Sequence, residues 1–418
     1  MVKISHTVCI MTTILSVDTV SALQHGMETD KSDSMQRFIK ARRAASFIFL
    51  MDGMGFGTWA ALIPSFKAIF VLSDGTLAWI LFSMVSAALL AMPLTGKALH
   101  KWGSHEVISK LSVLYCVVLL ALMWVPNLQL FMVAAFVFGA CKGVMDVAIN
   151  AQAVTVENAI DKPIMSMFQA VWSLGGVCAA IIVSVALKAH FTPSFIGMGM
   201  ACILLVLGLL NTPSLLPDQA QEGSEGGAFS WRNPTLLKVG ALLFLVLFSE
   251  GAMMDWSAVY ARSVSGAPAY LAPVAFAVFS SAMTTGRLVG DALLAKFGAI
   301  KVLGLGSLML LIGVVLVSLW HVWPVTFLGF GIAGLGLSNM FPVLLGVGAR
   351  VHHHSSGPAV ATVTTIGFFG FLVGPPVIGA LSHGFGLPVA LSSITLFALV
   401  LMTFGTRLIS TLLTKQKD

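Results

Sequence analysis

The chain has 418 residues, of which 57% are hydrophobic and only 10% are Asp, Glu, Lys or Arg, with a formal net charge of +6 and a mean hydropathy of +0.95. Soluble domains carry about 25% charged residues, so this composition excludes water as the main solvent. The apolar runs are continuous rather than alternating, which excludes a transmembrane barrel and predicts an all-α membrane protein.

A polar N-terminal tail, residues 1–43, comes first and is expected to be disordered. Its short apolar stretch Val8–Val17 imitates a secretory signal, but Ala22 makes a poor cleavage site, and the native start can equally be Met27 or Met35. Apolar segments follow at about 44–68, 75–97, 107–125, 128–155, 164–187 and 193–211. A polar linker, 213–235, interrupts them, and six more come at about 236–261, 268–294, 299–318, 322–348, 358–382 and 386–408. A crossing of the ~30 Å hydrocarbon layer takes ~20 apolar residues. The prediction is therefore twelve transmembrane helices in two six-helix bundles, 44–212 and 236–410, with a short tail at 411–418.

Lys and Arg in short loops set membrane orientation. With the N-terminus inside, seventeen of the 23 basic residues lie at cytoplasmic helix ends, and only Lys67, Lys188 and Arg262 lie outside; Lys3 and Lys31 are in the tail and Lys142 is inside the membrane. Both termini are thus expected in the cytoplasm. The even spread of the basic residues over loops also argues against nucleic acid as a partner. Five cysteines, four of them in apolar runs, show no metal or disulfide spacing and are expected to behave as small hydrophobes. No cofactor or metal is predicted.

The halves resemble each other. DGMGFGTWAALIP (Asp52–Pro64) is echoed about 197 residues later by EGAMMDWSAVY (Glu250–Tyr260), and GKALHKWG (Gly96–Gly103) is echoed by GRLVGDALLAKFG (Gly286–Gly298), 195 residues apart at Lys-aromatic-Gly. Repeats of this kind place a substrate site between the halves near the bilayer midplane.

An ionisable group at membrane depth is costly and marks a functional site. Asp52 lies nine residues past Arg43, about 14 Å into the bilayer, and is the first candidate for proton coupling; the alternative is an acid hydrogen-bonded to a neighbouring helix for packing. Glu250, its repeat partner, is the second, with Ser257 on nearly the same helix face. Asp255 lies about 140° around that helix, as an exit-gate or an interfacial residue. Trp59 and Trp256 can stack on a sugar-like ring or simply pack. The fourth segment presents Lys142, Asp146 and Asn150 at i, i+4 and i+8, one polar stripe. It serves as a binding face with Asp146 as a further coupling candidate, or as a permanent ion pair. Gln169, Trp172 and Asn339 offer neutral hydrogen bonds to a ligand or between helices. Lys101, Glu157, Arg287, Asp291 and Lys296 are candidates for loop gating, Glu157 by pairing with Lys101 or another basic loop residue. GFGIAG (Gly329–Gly334) and Gly139-x-x-x-Gly143 sit inside apolar helices and are read as close packing. His352–His354 is read as a solvated loop.

GRLVGDALLAKFG resembles the cytoplasmic loop signature of the major facilitator superfamily; the first-half copy departs from it, with Ala98, Leu99 and His100 where an acid is usual. GVMDVAINAQAVTVE (Gly143–Glu157), WSLGG (Trp172–Gly176), DWSAVY (Asp255–Tyr260), NMFPVLLG (Asn339–Gly346) and GFFGFLVGPPVIG (Gly367–Gly379) resemble YbjJ-type inner-membrane proteins, distant relatives of fucose–proton symporters. The resemblance implies a monomeric secondary carrier of the bacterial inner membrane, with an acid on the first helix, here Asp52, in proton coupling. Those relatives tend to place a Glu on the fourth helix, where this chain offers Asp146 or Glu157. Together these features predict a proton-coupled symporter of a small polar, sugar-like solute. Two alternatives are a drug–proton antiporter, disfavoured by a fifth segment without proline, and a non-transporting sensor, disfavoured by the shortness of every hydrophilic stretch. No nucleotide-binding loop or hydrolase motif is present, so the chain is not expected to be an enzyme.

Overall fold

The computed structural model describes residues 3–160, 164–217, 233–350 and 356–414, with side chains from Gln36 onward except Asp291 and a few others beside the gaps. The described residues are helical almost throughout: α1 (Lys3–Ile69), α2 (Asp74–Trp124), α3 (Leu128–Ile160), α4 (Met165–Lys188), α5 (Pro193–Asn211), α6 (Pro234–Ser263), α7 (Ala272–Leu288), α8 (Gly290–Leu319), α9 (Trp323–Leu337), α10 (Met340–Arg350), α11 (Ser356–Phe385), α12 (Leu387–Ser392), α13 (Ile394–Val400) and α14 (Thr406–Thr414). Ten helices among the described residues are long and apolar enough to cross a bilayer.

Two features separate these ten from the twelve expected. The 51 residues of α2 would measure about 76 Å if straight, more than twice the hydrocarbon thickness, and the helix turns at Gly103 (φ 73°, ψ 164°). α7 has only 17 residues and reaches a full crossing only with the first turns of α8, which bends at Gly298 (φ 75°, ψ 164°). These two elbows are the glycines that the sequence repeat pairs. A positive φ disfavours any side chain. Gly103→Ala and Gly298→Ala are each expected to cost roughly 1–3 kcal/mol, read as a lowered melting temperature of the detergent-purified protein.

The tail differs from its expected disorder: the backbone is helical from Lys3 without a break into the first span. The first proline of the chain is Pro64, so nothing before it interrupts intrahelical bonding. The apolar part, Gln36–Ile69, is the portion fit to cross a membrane. The predicted linker and the His352–His354 loop lie largely outside the described residues.

Small residues set the close helix contacts, as expected where lipid removes the hydrophobic drive between helices. α1 and α4 touch backbone to backbone: a Cβ on Gly53 would sit 2.0 Å from the Trp172 carbonyl oxygen, and one on Gly175 would sit 2.4 Å from that of Leu50. The glycines of Gly139-x-x-x-Gly143 and GFGIAG are likewise packed, Gly139 and Gly143 against Met84 and Ala88, and Gly329 and Gly334 against Gly313 and Phe279. Cys116 and Cys141 are buried and free.

The helices alternate in direction, so one end of the bundle carries Ile69, Asp74, Lys188, Ser263, Ala272 and Phe385. At this end the two halves are tied together. Lys67 pairs with Asp74, Ser382 of α11 donates to the same carboxylate, and Ser184 of α4 donates to the Tyr270 carbonyl just before α7. Below these ties Phe56 of α1 meets Phe276 of α7, ring centroids 6.4 Å apart.

Candidate functional site

The polar residues of α1, α3 and α4 converge on one point. Asp52 is fully buried; its Oδ2 accepts a hydrogen bond from Trp172 Nε1 at 2.7 Å and pairs with Lys142 Nζ at 3.1 Å. Lys142 also pairs with Asp146 one turn along its own helix, and its ammonium lies 5.4 Å from the Trp172 ring centroid, a cation–π contact. An ammonium has three donors and no acceptor, so two carboxylates and an aromatic face occupy all its directions. Asn150 extends the stripe: its Oδ1 accepts from Gln169 Nε2 at 3.2 Å, while its own amide donates to the Asp146 carbonyl at 2.7 Å. The i, i+4, i+8 stripe is thus a real face. The structure adds three partners from other helices, Asp52 of α1 and Gln169 and Trp172 of α4.

With its acids ionised, this cluster carries two negative charges against one positive. Burying charge in low dielectric is expensive unless it is paired, and Asp52 Oδ1 is buried without a protein partner. A surplus carboxylate in such a place can be neutralised by a proton, and its proton affinity then depends on where Lys142 leans.

A second cluster stands in the other half. Arg287 Nη2 donates to Glu250 Oε1 at 3.0 Å, with 25% and 9% of the two side chains exposed. Arg287, expected at a gating loop, lies in the last turn of α7, and its guanidinium turns to α6. Asn339 also lies here, donating to the Gly286 carbonyl at 2.9 Å, so it holds the end of α7 rather than lining a wall alone. Asp52, Lys142, Trp172, Glu250 and Arg287 all fall about 13 to 17 residues from the tied end of the bundle, about 20–25 Å along their helices. α1 and α4 pack on α7, which brings the two clusters to one level between the halves.

Other expectations fare differently. Trp59 and Trp256 are buried in packing and do not line a cavity. Trp59 stacks on Phe66 and Phe131, with ring centroids 5.5 and 6.0 Å away. It shares the helix face of Asp52 but stands about 10 Å nearer the tied end, where aromatic rings fill the space. Asp255 is buried and makes no ion pair among the described residues. Glu157 accepts from the backbone amides of Ile164 (2.8 Å) and Met165 (2.9 Å), so it caps α4 instead of pairing with Lys101. Lys101 lies over the ring of Trp102 and Lys296 over that of Phe297; the Asp291 side chain lies outside the described residues. The sequence reading overlooked Asp74, Ser382, Phe56 and Phe276. Asp74 had a signal, since it opens a helix just after Lys67, one of the few basic residues on that side.

The family model described as the Major Facilitator Superfamily matches residues 45–300, well over half of the chain. The chain belongs to the Major Facilitator Superfamily. It is 34% identical over 366 residues to an uncharacterized MFS-type transporter of Yersinia pestis, covering 88% of this chain and 95% of that protein. It is 28% identical over 348 residues to the membrane protein MosC of Rhizobium meliloti, covering 83% and 85%. Among solved structures, the nucleoside transporter NupG superposes with a TM-score of 0.72 at 14% identity, covering 88% of this chain and 99% of that one. The fucose:proton symporter FucP of E. coli superposes with a TM-score of 0.58 at 18% identity, covering 89% and 99%. The family match and the Yersinia relative make this a transporter of that superfamily, and the solved structures show the same fold.

Proposed function

We propose that this transporter is a proton-coupled symporter of a small, hydroxylated polar solute, working by alternating access. Twelve crossings result when α2 is divided at Gly103 and α7 is counted with the first turns of α8, six on each side of the linker. The distribution of basic residues then puts the tied end outside and both termini in the cytoplasm. In this reading the contacts among Lys67, Asp74, Ser382, Ser184 and Tyr270 form the outer closure.

The observation that carries the reading is Asp52, fully buried and sharing Lys142 with Asp146. When Asp52 takes a proton, Lys142 is left to Asp146 alone and the cluster becomes neutral. When the proton leaves, Lys142 is drawn between the two acids. Solute fits against the neutral donors beside this switch, Asn150, Gln169 and the exposed part of Trp172. NupG and FucP, named for a nucleoside and a sugar, support a solute rich in hydroxyls.

The test is uptake into proteoliposomes by a ligand first found in a thermal-shift screen of sugars, sugar acids and nucleosides. Accumulation driven by an inward proton gradient is expected, and equal flux with and without that gradient would reject coupling. The outer closure has its own test. Asp74→Asn weakens the charged hydrogen bond that Ser382 of the second half donates to this carboxylate, by about 1 kcal/mol or about fivefold in population. Labelling of an Ala78→Cys probe, which faces Gly379 across the halves, by an impermeant maleimide is expected to rise accordingly.

A further inference from the structure

The solute's charge can be read from the second cluster. We propose that Arg287 is the solute-reading group and that the transported solute carries a carboxylate, which Arg287 grips in place of Glu250. This rests on the transport reading above and names the substrate class of the same site, a small hydroxylated organic acid.

Four observations lead there. First, a guanidinium offers five N–H donors and binds carboxylates best through two parallel bonds, yet the pair with Glu250 uses one nitrogen on one oxygen. Among the described residues its other four donors meet no partner. Second, a quarter of the Arg287 side chain is exposed. A cation inside a membrane protein is favoured where it faces a water-filled cavity rather than hydrocarbon, and this exposure leaves the group open to a solute. Third, the group is held in place. Asn339 bonds the carbonyl of the preceding residue, Gly286, and a Cβ on Gly290 would come within 1.9 Å of the Asn339 oxygen, so the glycine after the end of α7 leaves room for this brace. Fourth, the other cation at this level, Lys142, is already shared by two acids, so only the second half has cationic capacity to offer.

Glu250 itself shows the chemistry that Arg287 accepts. The internal carboxylate is a stand-in that a solute carboxylate displaces from the guanidinium; Glu250 stays in the site, so a monoanion adds one negative charge and a dianion two. A phosphate dianion would add a further negative charge to a site that already has a surplus of one, which favours carboxylate as the class. The hydroxyls of the acid then face Asn150, Gln169 and Trp172 across the cavity.

The experiment measures binding to the purified, full-length protein for matched pairs: gluconate and glucose, glycerate and glycerol, with glucose 6-phosphate as the phosphate arm. At least one acid is expected to bind, and its neutral partner and the phosphate to bind at least about tenfold more weakly, the effect of losing charged hydrogen bonds. Arg287→Gln is expected to lose the acid by a similar factor. Glu250→Gln removes the competitor and is expected to tighten acid binding several-fold, an increase that a purely structural pair would not give. Because Arg287→Gln strands a buried acid, the double variant Glu250→Gln/Arg287→Gln serves as the folded control, and it too must fail to bind the acid. Neutral solutes binding as tightly as their acids, binding of the phosphate alone, weaker acid binding in Glu250→Gln, retained acid binding in the double variant, or no acid bound at all would each overturn the proposal. Failure of the transport reading looks different: Arg287-dependent acid binding with no proton-driven flux removes coupling and leaves the binding assignment standing, whereas proton-driven flux of a neutral solute does the reverse.

Discussion

Asp52→Asn is expected to abolish proton-driven accumulation while leaving the protein folded and able to exchange solute. Asparagine keeps the size of the side chain and an oxygen that can accept from Trp172 Nε1, now at 2.7 Å. It removes the surplus negative charge, so Lys142 settles on Asp146 and the cluster is neutral whatever the pH. One pH unit is worth about 1.4 kcal/mol per proton, or about tenfold accumulation for a one-proton symporter. The wild type is expected to approach that ratio under a gradient of one unit, and the variant to equilibrate at a ratio near one. Counterflow of labelled solute separates this from misfolding, since exchange needs alternating access but no net proton movement. A variant that still accumulates solute under the gradient would move coupling to another acid, Glu250 or Asp255.

Lys142→Gln is expected to be the most damaging single substitution at the site. Lys142 is 13% exposed and pairs with one acid that is fully buried and one that is partly exposed. Removing one member of a buried pair strands the other, at a cost of roughly 3–5 kcal/mol, here seen as a large fall in melting temperature in detergent and low yield in the membrane. The double variant Asp52→Asn/Lys142→Gln is expected to be more stable than Lys142→Gln alone, by roughly 1–3 kcal/mol of coupling between contacting groups. Equal stability of the two would mean that Asp52 does not depend on Lys142.

Some of this was legible in the chain itself and some was not, for physical reasons. Apolar runs longer than a bilayer is thick can only be helices, so the spans and their ends near residues 69, 124, 188 and 263 follow from composition. The paired elbows at Gly103 and Gly298 were visible as a repeat because each needs a glycine. Lys142, Asp146 and Asn150 were legible as a stripe because helical period is local. The pairs Asp52–Lys142 and Glu250–Arg287 were not, since 90 and 37 residues separate their members and no local rule joins them. The motif placed Arg287 near a loop, and the partner to which its side chain turns, on α6, could not be read from the motif. Trp59 was misjudged because the face it shares with Asp52 says nothing about depth, and its depth is where the aromatic core closes. Glu157 stands in the last turn of α3, and its capping of α4 depends on a connection that spacing alone does not reveal.

The central claim, that a proton moves with the solute through the Asp52 cluster, is most directly tested by watching the proton. Proteoliposomes loaded with a pH-sensitive dye, voltage-clamped with potassium and valinomycin, are given a solute gradient and no pH gradient. The account predicts that the lumen acidifies as solute enters, in fixed ratio to it, and that Asp52→Asn liposomes take up solute without acidifying. Solute entry into wild-type liposomes with an unchanged internal pH would contradict it.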